Sequence, residues 1–287
     1  MLAFVSISDV RAATLTLGTI NHAPVREIRQ FSPFAAHLVQ RLGMPELQQG
    51  RVVIADTITH MAELLKSGQV DLYIDSPLPS LAVNHLSGAQ MLLRRWKHDI
   101  AEYAAVFFVK SDSPIRSLAD LSGQVIGFKD PFSSSGYLLP RIALTEAGLT
   151  SVPVANQKRP LVESGQVGYL FTQGNENTIV WVLYGKVDAG AIGQDEFVIK
   201  AKSERDRLRV IHTTTPIPRH VVSFRADMSE ELKSRLLELL TSMDRNELDR
   251  RILEKFENTT RFDAIPVGLE RQLEQMRPTV LNILGIP

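Results

Sequence analysis

The 287-residue sequence contains no cysteine. Disulfides, thiolate nucleophiles and cysteine-type zinc sites are therefore excluded together. It also carries no net charge, with 32 Lys and Arg against 32 Asp and Glu. Without a basic excess, a nucleic-acid partner is not expected; a locally positive pocket is still compatible with the neutral total. No run of the sequence approaches the ~20 apolar residues of a membrane span. Short-period repeats, low-complexity tracts and Gly/Ser linkers are missing too. So are G-x-S-x-G, H-E-x-x-H and G-x-x-x-x-G-K-[ST], which leaves hydrolase, metalloprotease and P-loop chemistry without a signature. What is present is an ordinary globular composition, 44% hydrophobic and 22% charged. That is enough for one large or two modest domains with real cores.

The N-terminal stretch MLAFVSISDVRAATLTLG begins apolar and reaches Arg11-Ala12-Ala13 before strand-like residues. Small residues there match the end of a secretory signal. Residues 1–13 are expected to be the tail of a leader that begins further upstream, with the mature chain starting near Thr14. Strands and helices then alternate: TLTLGTI, a helix through FSPFAAHLVQRLG, RVVIAD, a helix capped by Thr57 or Thr59, and VDLYI. Alternation of this kind predicts an α/β fold with parallel sheets flanked by helices. Further on, AAVFFVK and QVIGFK read as strands, NENTIVWVLYG as a helix and HVVSFR as a return strand. A final helix near Leu269–Leu284 contains Pro278. One pattern recurs about half a chain apart. LLKSGQVDLYI (Leu64–Ile74) and VLYGKVDAGAI (Val182–Ile192) both read helix end, Gly, Val-Asp, strand. The glycine suits a left-handed helix stop. Two units of similar build predict two lobes joined by strands.

Between a strand and a helix lies GFKDPFSSSGYLLPR, Gly127 to Arg141. A helix N-terminus exposes unpaired N–H groups and the positive end of its dipole. Hydroxyls from Ser133, Ser134 and Ser135, with Gly136 allowing close approach, would complete an anion cradle. The dipole contributes about 0.3–2 kcal/mol and each charge-assisted hydrogen bond about 1.5–3 kcal/mol. A micromolar ligand needs about 8 kcal/mol, so a second lobe has to contribute. The competing reading is a polar turn in which Ser135 caps the helix. Pro140 sits late for a first-turn proline, so the helix either starts near it or has a distorted first turn.

With its neighbours the loop becomes more specific. SLADLSGQVIGFKDPFSSSGYLLPRIALTEAGL (Ser117–Leu149), PIPRHVVSFRADMSEEL, SGQVDLYIDSPL and YGKVDAGAIGQDEF together resemble the PhnD-like phosphate/phosphonate-binding proteins of ABC transporters. The resemblance covers nearly all of residues 14–240. It implies a two-lobed Venus-flytrap of the periplasmic-binding-protein fold, each lobe a mostly parallel sheet flanked by helices. Lobe 1 would comprise 14–107 plus 222–287, and lobe 2 residues 108–221. Carried over by position, Ser133, Ser134 and Ser135 would hold the anionic oxygens and Tyr103 would touch the ligand near the hinge. Some positions depart from the family pattern: a first-lobe tyrosine falls near Ile58, a second-lobe histidine near Asn175, and the usual Gly-Pro is Ser76-Pro77.

Asp75 stands where a parallel strand ends, the place where ligands meet open α/β sheets. Beside an oxyanion a carboxylate needs an intervening proton. Asp75, Glu176 or Asp195 could accept one from a P–OH group or from a ligand ammonium. The alternative for Glu176 and Asp195 is helix capping, and for Asn175 capping together with ligand contact. His22 reads as a loop residue that could face the cleft. The expected protein is a non-enzymatic binding protein for a small phosphonate- or phosphate-like oxyanion. It would be a periplasmic monomer delivering its ligand to an ABC permease, with no cofactor and no metal. A sensor module partnering a membrane histidine kinase is the alternative, and an enzyme on the same fold the third reading.

Overall fold

The computed structural model describes residues 13–21, 24–155 and 160–287. The expected leader up to residue 12 and His22 lie outside the described residues. In chain order the first part contains β1 (Ala13–Ile20), α1 (Pro24–Leu42), β2 (Leu47–Ala55), α2 (Ile58–Lys66), β3 (Leu72–Asp75), α3 (Pro77–Ser87), β4 (Gln90–Lys97) and the short β5 (Glu102–Tyr103). The middle part contains β6 (Ala105–Lys110), β7 (Val125–Phe128), α4 (Leu139–Glu146), β8 (Thr150–Pro153), β9 (Gln166–Phe171), α5 (Asn175–Leu183), β10 (Ala189–Gly193), α6 (Gln194–Lys200) and β11 (Leu208–Thr213). The last part contains β12 (Ile217–Pro218), β13 (His220–Phe224), α7 (Glu230–Ser242), α8 (Glu247–Lys255), β14 (Thr259–Ala264) and α9 (Val267–Leu284).

Two six-stranded sheets result, ordered β14-β4-β13-β3-β1-β2 and β11-β6-β10-β7-β9-β8. In the first, β2, β1, β3 and β4 run one way, and β13 and β14 run the other. In the second, only β6 opposes its neighbours. The chain passes between the sheets twice. At both passages it forms a two-stranded bridge, Tyr103 opposite Ile217 and Glu102 opposite Pro218. The divisions expected at 107/108 and 221/222 fall inside β6 and β13.

Local chemistry accounts for the elements. α1 buries Phe31, Phe34, Ala35, Leu38, Val39 and Leu42 along one face, the spacing of an amphipathic helix. It starts seven residues before Phe31, at Pro24, because proline fits the first turn, where an N–H has no partner. Thr57 caps α2 by accepting from His60 N at 3.1 Å. The recurring Gly-x-Val-Asp segments do the same work twice. Gly68 and Gly185 take left-handed φ values of 69° and 67°, so the chain reverses directly into a strand. Each aspartate then clamps a neighbouring strand in both directions. Thr16 N donates to Asp71 Oδ2 (2.7 Å) while Asp71 N donates to Thr16 O (2.9 Å). Val125 N donates to Asp188 Oδ2 (2.9 Å) while Asp188 N donates to Val125 O (2.8 Å).

One core lies between the first sheet and α1, α7 and α8, where Phe34 stacks on Phe256 at 4.1 Å. Another is shared between the two halves: Leu78 and Leu81 of α3 and Leu273 and Val280 of α9 pack with Phe107, Phe128 and the α4 residues Leu139 and Ile142. α3 therefore reaches from one sheet's wall onto the other half. The closest backbone approach is α1 on β2. A Cβ on Gly50 would stand 2.3 Å from the carbonyl carbon of Ala35, and backbone cannot swing away as a side chain can. Gly50→Ala is expected to cost about 1–3 kcal/mol through overpacking. A urea midpoint unchanged from wild type would contradict that approach.

Candidate functional site

A cleft of about 750 Å³ opens between the two sheets. Its walls include the ends of β1 and β3 (Ile20, Asp75), the serine loop and the start of α5, so the ligand space lies beyond the carboxyl ends of parallel strands, as in other open α/β sheets. Of the sequence-predicted site residues, Asp75, Ser76, Tyr103, Ser133, Ser134, Ser135, Asn175 and Glu176 stand in this wall. Gly136 and Asp195 lie just behind it.

The serine loop folds into a π turn over Ser134–Leu138 that runs into α4. Pro140 explains the irregularity. In a regular helix residue 140 would donate to the Gly136 carbonyl, but proline has no N–H. That carbonyl instead accepts from Lys129 N at 2.9 Å, and Leu138 N reaches back five residues to Ser133 O at 3.0 Å. The cap is Ser133, not Ser135: Ser133 Oγ accepts from Gly136 N at 3.0 Å. Gly136 serves packing, because a Cβ there would meet Lys129 Cβ at 2.6 Å. At the open end of such a turn the Ser134 and Ser135 amides precede the first intrahelical bond.

The three hydroxyls have different tasks. Ser134 is buried, and its Oγ accepts from Leu78 N at 3.0 Å. α3 begins with Pro77 and receives no side-chain cap from Ser76, so a hydroxyl on the opposite wall supplies its cap and ties the halves together. Ser135 and Ser134 neighbour the Tyr103 hydroxyl, whose ionisation burial pushes up. Ser133, having accepted from Gly136, keeps its O–H for the cleft.

Facing this loop, α5 starts at Asn175 with no side-chain cap. Asn177 Nδ2 is spent on Thr172 O at 2.8 Å. Glu176 is exposed at the rim and paired with Lys200 Nζ at 2.6 Å. Asp75 is saturated by its own half, accepting from Thr19 Oγ1 (2.9 Å), Ile20 N (3.0 Å) and Ser76 N (2.6 Å). Burial raises its pKa above the ordinary carboxyl value, against the pull of those donors. Asp195 Oδ2 lies 3.1 Å from Arg219 Nη2.

Sequence reasoning missed the cations. Lys97 ends β4, and Arg219 and His220 stand where the chain returns to the first sheet; all three line the cleft with Lys129. Burial pulls Lys97 down to about 8 despite Glu257, 3.2 Å away. Burial would raise Glu257, yet Lys97 and Arg95 outweigh it and hold that carboxyl at about 2. His220 is held well below its ordinary value, by burial first and then by Lys97, Arg219, Arg95 and Lys129. Burial and these four cations act in the same direction, and the cations make this side of the cleft positive. The available signal was Arg219-His220 in PIPRHVVSF, immediately before a strand already read as the return between lobes. Among the described residues no group of three or more His, Asp and Glu is arranged to hold a metal ion.

The family model for the periplasmic substrate-binding protein of phosphonate ABC transporters matches residues 19–266. The chain belongs to that family. Among solved structures, XAC2383 from Xanthomonas citri bound to ATP is 25% identical, with a TM-score of 0.87 over 95% of this chain and 98% of that one. PhnD1 from Prochlorococcus marinus in complex with methylphosphonate is 19% identical, with a TM-score of 0.67 over 95% and 98%. The periplasmic aliphatic sulphonate binding protein SsuA from Escherichia coli is 18% identical, with a TM-score of 0.59 over 96% and 94%. The last two share the fold. The phosphonate-binding family consists of periplasmic transport components, not enzymes, that take a small anionic ligand and work with an ABC permease. Membership favours this reading over the histidine-kinase sensor.

Proposed function

We propose that this phosphonate-family binding protein captures a small phosphonate- or phosphate-like oxyanion between two lobes and presents it to an ABC permease. The lobes are built on the two sheets, exchanging just before β6 and just before β13 rather than at 107/108 and 221/222, with the β5–β12 bridge as hinge. The protein acts as a periplasmic monomer. The observation that carries the reading is the π turn at Ser134–Leu138, with the Ser134 and Ser135 amides at its open end. The uncapped start of α5 and the cations Lys97, Lys129 and Arg219 share that cleft. Donors fixed before the ligand arrives hold an oxyanion without reorganisation cost. Closure of the lobes completes the shell from the other side. The ATP and methylphosphonate held by the two relatives are both phosphorus oxyanions, which suits the same class of ligand here.

The experiment is a thermal-shift panel of phosphate, phosphite, methylphosphonate, sulfate and methanesulfonate. One or more phosphorus oxyanions should raise the melting temperature, and Ser135→Ala should abolish most of that rise without lowering the ligand-free value. Ser134→Ala should lower both, because its hydroxyl also caps α3. A ligand-induced shift that survives Ser135→Ala unchanged would remove the Ser135 hydroxyl from the shell, and no shift with any phosphorus oxyanion would overturn the reading.

A further inference from the structure

Arg219 lies on the second passage between the sheets, after β12 and before β13, in the cleft wall. Its side chain is only 10% exposed. The guanidinium sits 4.5 Å above the Tyr103 ring, and Tyr103 in turn neighbours Ser134 and Ser135. Asp195 engages Nη2, while Nε has no partner. A guanidinium is a planar fork with more N–H groups than one carboxylate oxygen can use. Nε is buried on the same side as Nη2, as is the unpartnered Asp195 Oδ1, so the edge left for a ligand in the cleft wall is Nη1 with the second hydrogen of Nη2.

Most other charges of the cleft are committed, and Glu196, which has no ion pair among the described residues, lies in the field of Lys200. Lys97 is on Glu257, Lys129 on Asp130, Lys200 on Glu176 and Arg26 on Glu27. Asp75 already holds three donors of its own half, and Glu27 holds Asn21 and Arg26. Asp195 is set behind the wall against Arg219. Gly193 makes room for it: a Cβ there would stand 2.8 Å from Asp195 Oδ1 and 3.2 Å from Ser135 Oγ.

We propose that Arg219 supplies the charged grip on the bound oxyanion, that Asp195 positions the guanidinium through Nη2, and that the ligand is consequently an oxyanion without an ammonium group. This rests on the proposed function and narrows it to simple phosphonates and phosphates as against aminoalkylphosphonates. A carboxylate spent on an arginine offers an ammonium little, and a second cation would be placed beside Arg219. The arginine fork matches the oxygens of a phosphonyl group with two parallel hydrogen bonds, which a lysine cannot do.

The test is isothermal calorimetry of the full chain with methylphosphonate, inorganic phosphate and 2-aminoethylphosphonate. It uses wild type, Arg219→Met, Arg219→Lys and Asp195→Asn, each checked for wild-type circular dichroism. Wild type should favour methylphosphonate or phosphate over the amino compound at least tenfold. Arg219→Met should weaken the simple anions about tenfold to a hundredfold, and Arg219→Lys should recover only part of that. The preference should narrow or invert in Arg219→Met, since Asp195 is then free for the ammonium. A merely structural arginine would lower all three affinities together. If Arg219→Met does not fold, Arg219→Lys alone carries the test through the same selectivity ratio. Wild-type preference for 2-aminoethylphosphonate, or an unchanged ratio in the variants, overturns the assignment of Arg219 while leaving the serine-loop site standing. No binding of any oxyanion by wild type overturns both.

Discussion

Arg95→Leu is expected to remove about 3–5 kcal/mol of stability, the usual cost of breaking a buried ion pair from one side. Arg95 is fully buried in the middle of β4. Its Nε donates to Thr259 Oγ1 at 2.8 Å, Nη1 to Glu257 Oε2 at 2.9 Å and Nη2 to Phe256 O at 2.9 Å. The guanidinium also lies 3.9 Å from the Phe256 ring centroid, and Phe256 is the ring stacked on Phe34 in the core. One side chain thus holds the turn from α8 into the edge strand β14 against its neighbour β4. Glu257 and Asn258 within that turn have positive φ values of 51° and 52°, a backbone region that costs about 1–3 kcal/mol per residue unless the surroundings hold it. Leucine fills much of the volume but leaves Glu257, Thr259 and the Phe256 carbonyl without their donor. Replacing both charges, as Arg95→Leu with Glu257→Leu, should not recover the loss, because buried Lys97 then loses its counter-charge as well. Urea unfolding at neutral pH gives the measurement. A single variant within about 0.5 kcal/mol of wild type would show that the guanidinium is dispensable.

The same residues mark how much of the molecule was legible beforehand. Periodicity and stop signals gave α1, α2 and the strands from Val125 and Ala189, because each is decided by neighbours a few positions away. The repeated Gly-x-Val-Asp was legible as a sign of two similar halves, and each of its aspartates clamps a strand of its own half. The serine loop could be read as an anion cradle or as a capped polar turn, and Pro140 left either a helix starting near it or a distorted first turn. What could not be read is anything decided by two distant segments meeting. The hydroxyl of Ser134 caps α3, 56 positions away in sequence, and nothing local distinguishes it from Ser135. Asp195, near a helix start, reads as an acceptor for a ligand proton or ammonium or else as a cap, but a guanidinium 24 positions further along has claimed it. Lys97, Arg219 and His220 are scattered over the chain, and only the two passages between the sheets gather them into one wall. Charge balance over the whole sequence is zero, so composition could not reveal a local positive field.

Acid stability should separate Glu257 from the other carboxyls of the cleft. Its pKa lies at about 2 against an ordinary 4.5. Above the ordinary value the carboxylate is charged in both folded and unfolded chains, and the full benefit of Lys97 and Arg95 is present. As pH falls from 4.5 towards 2, the unfolded chain takes up the proton first, and the benefit drains away. At about 1.4 kcal/mol per pH unit of displacement, the loss amounts to about 3 kcal/mol. Asp75 and Glu27 act in the opposite sense. Burial raises both, so the folded chain takes up their protons before the unfolded one, and stability rises as pH falls through their folded values towards the ordinary range. His220 is held well below 6.5, so the unfolded chain takes up its proton first and stability is drawn down from that pH, against Asp75 and Glu27, before the steeper fall below about 4.5. Glu257→Gln has no proton to gain there. Its curve should start lower at neutral pH, because Lys97 and Arg95 lose their counter-charge, and then run flatter between 4.5 and 2. Urea titrations of both proteins at successive pH values decide it. Parallel curves through that window would mean that the Lys97–Glu257–Arg95 triad is not the source of the acid lability.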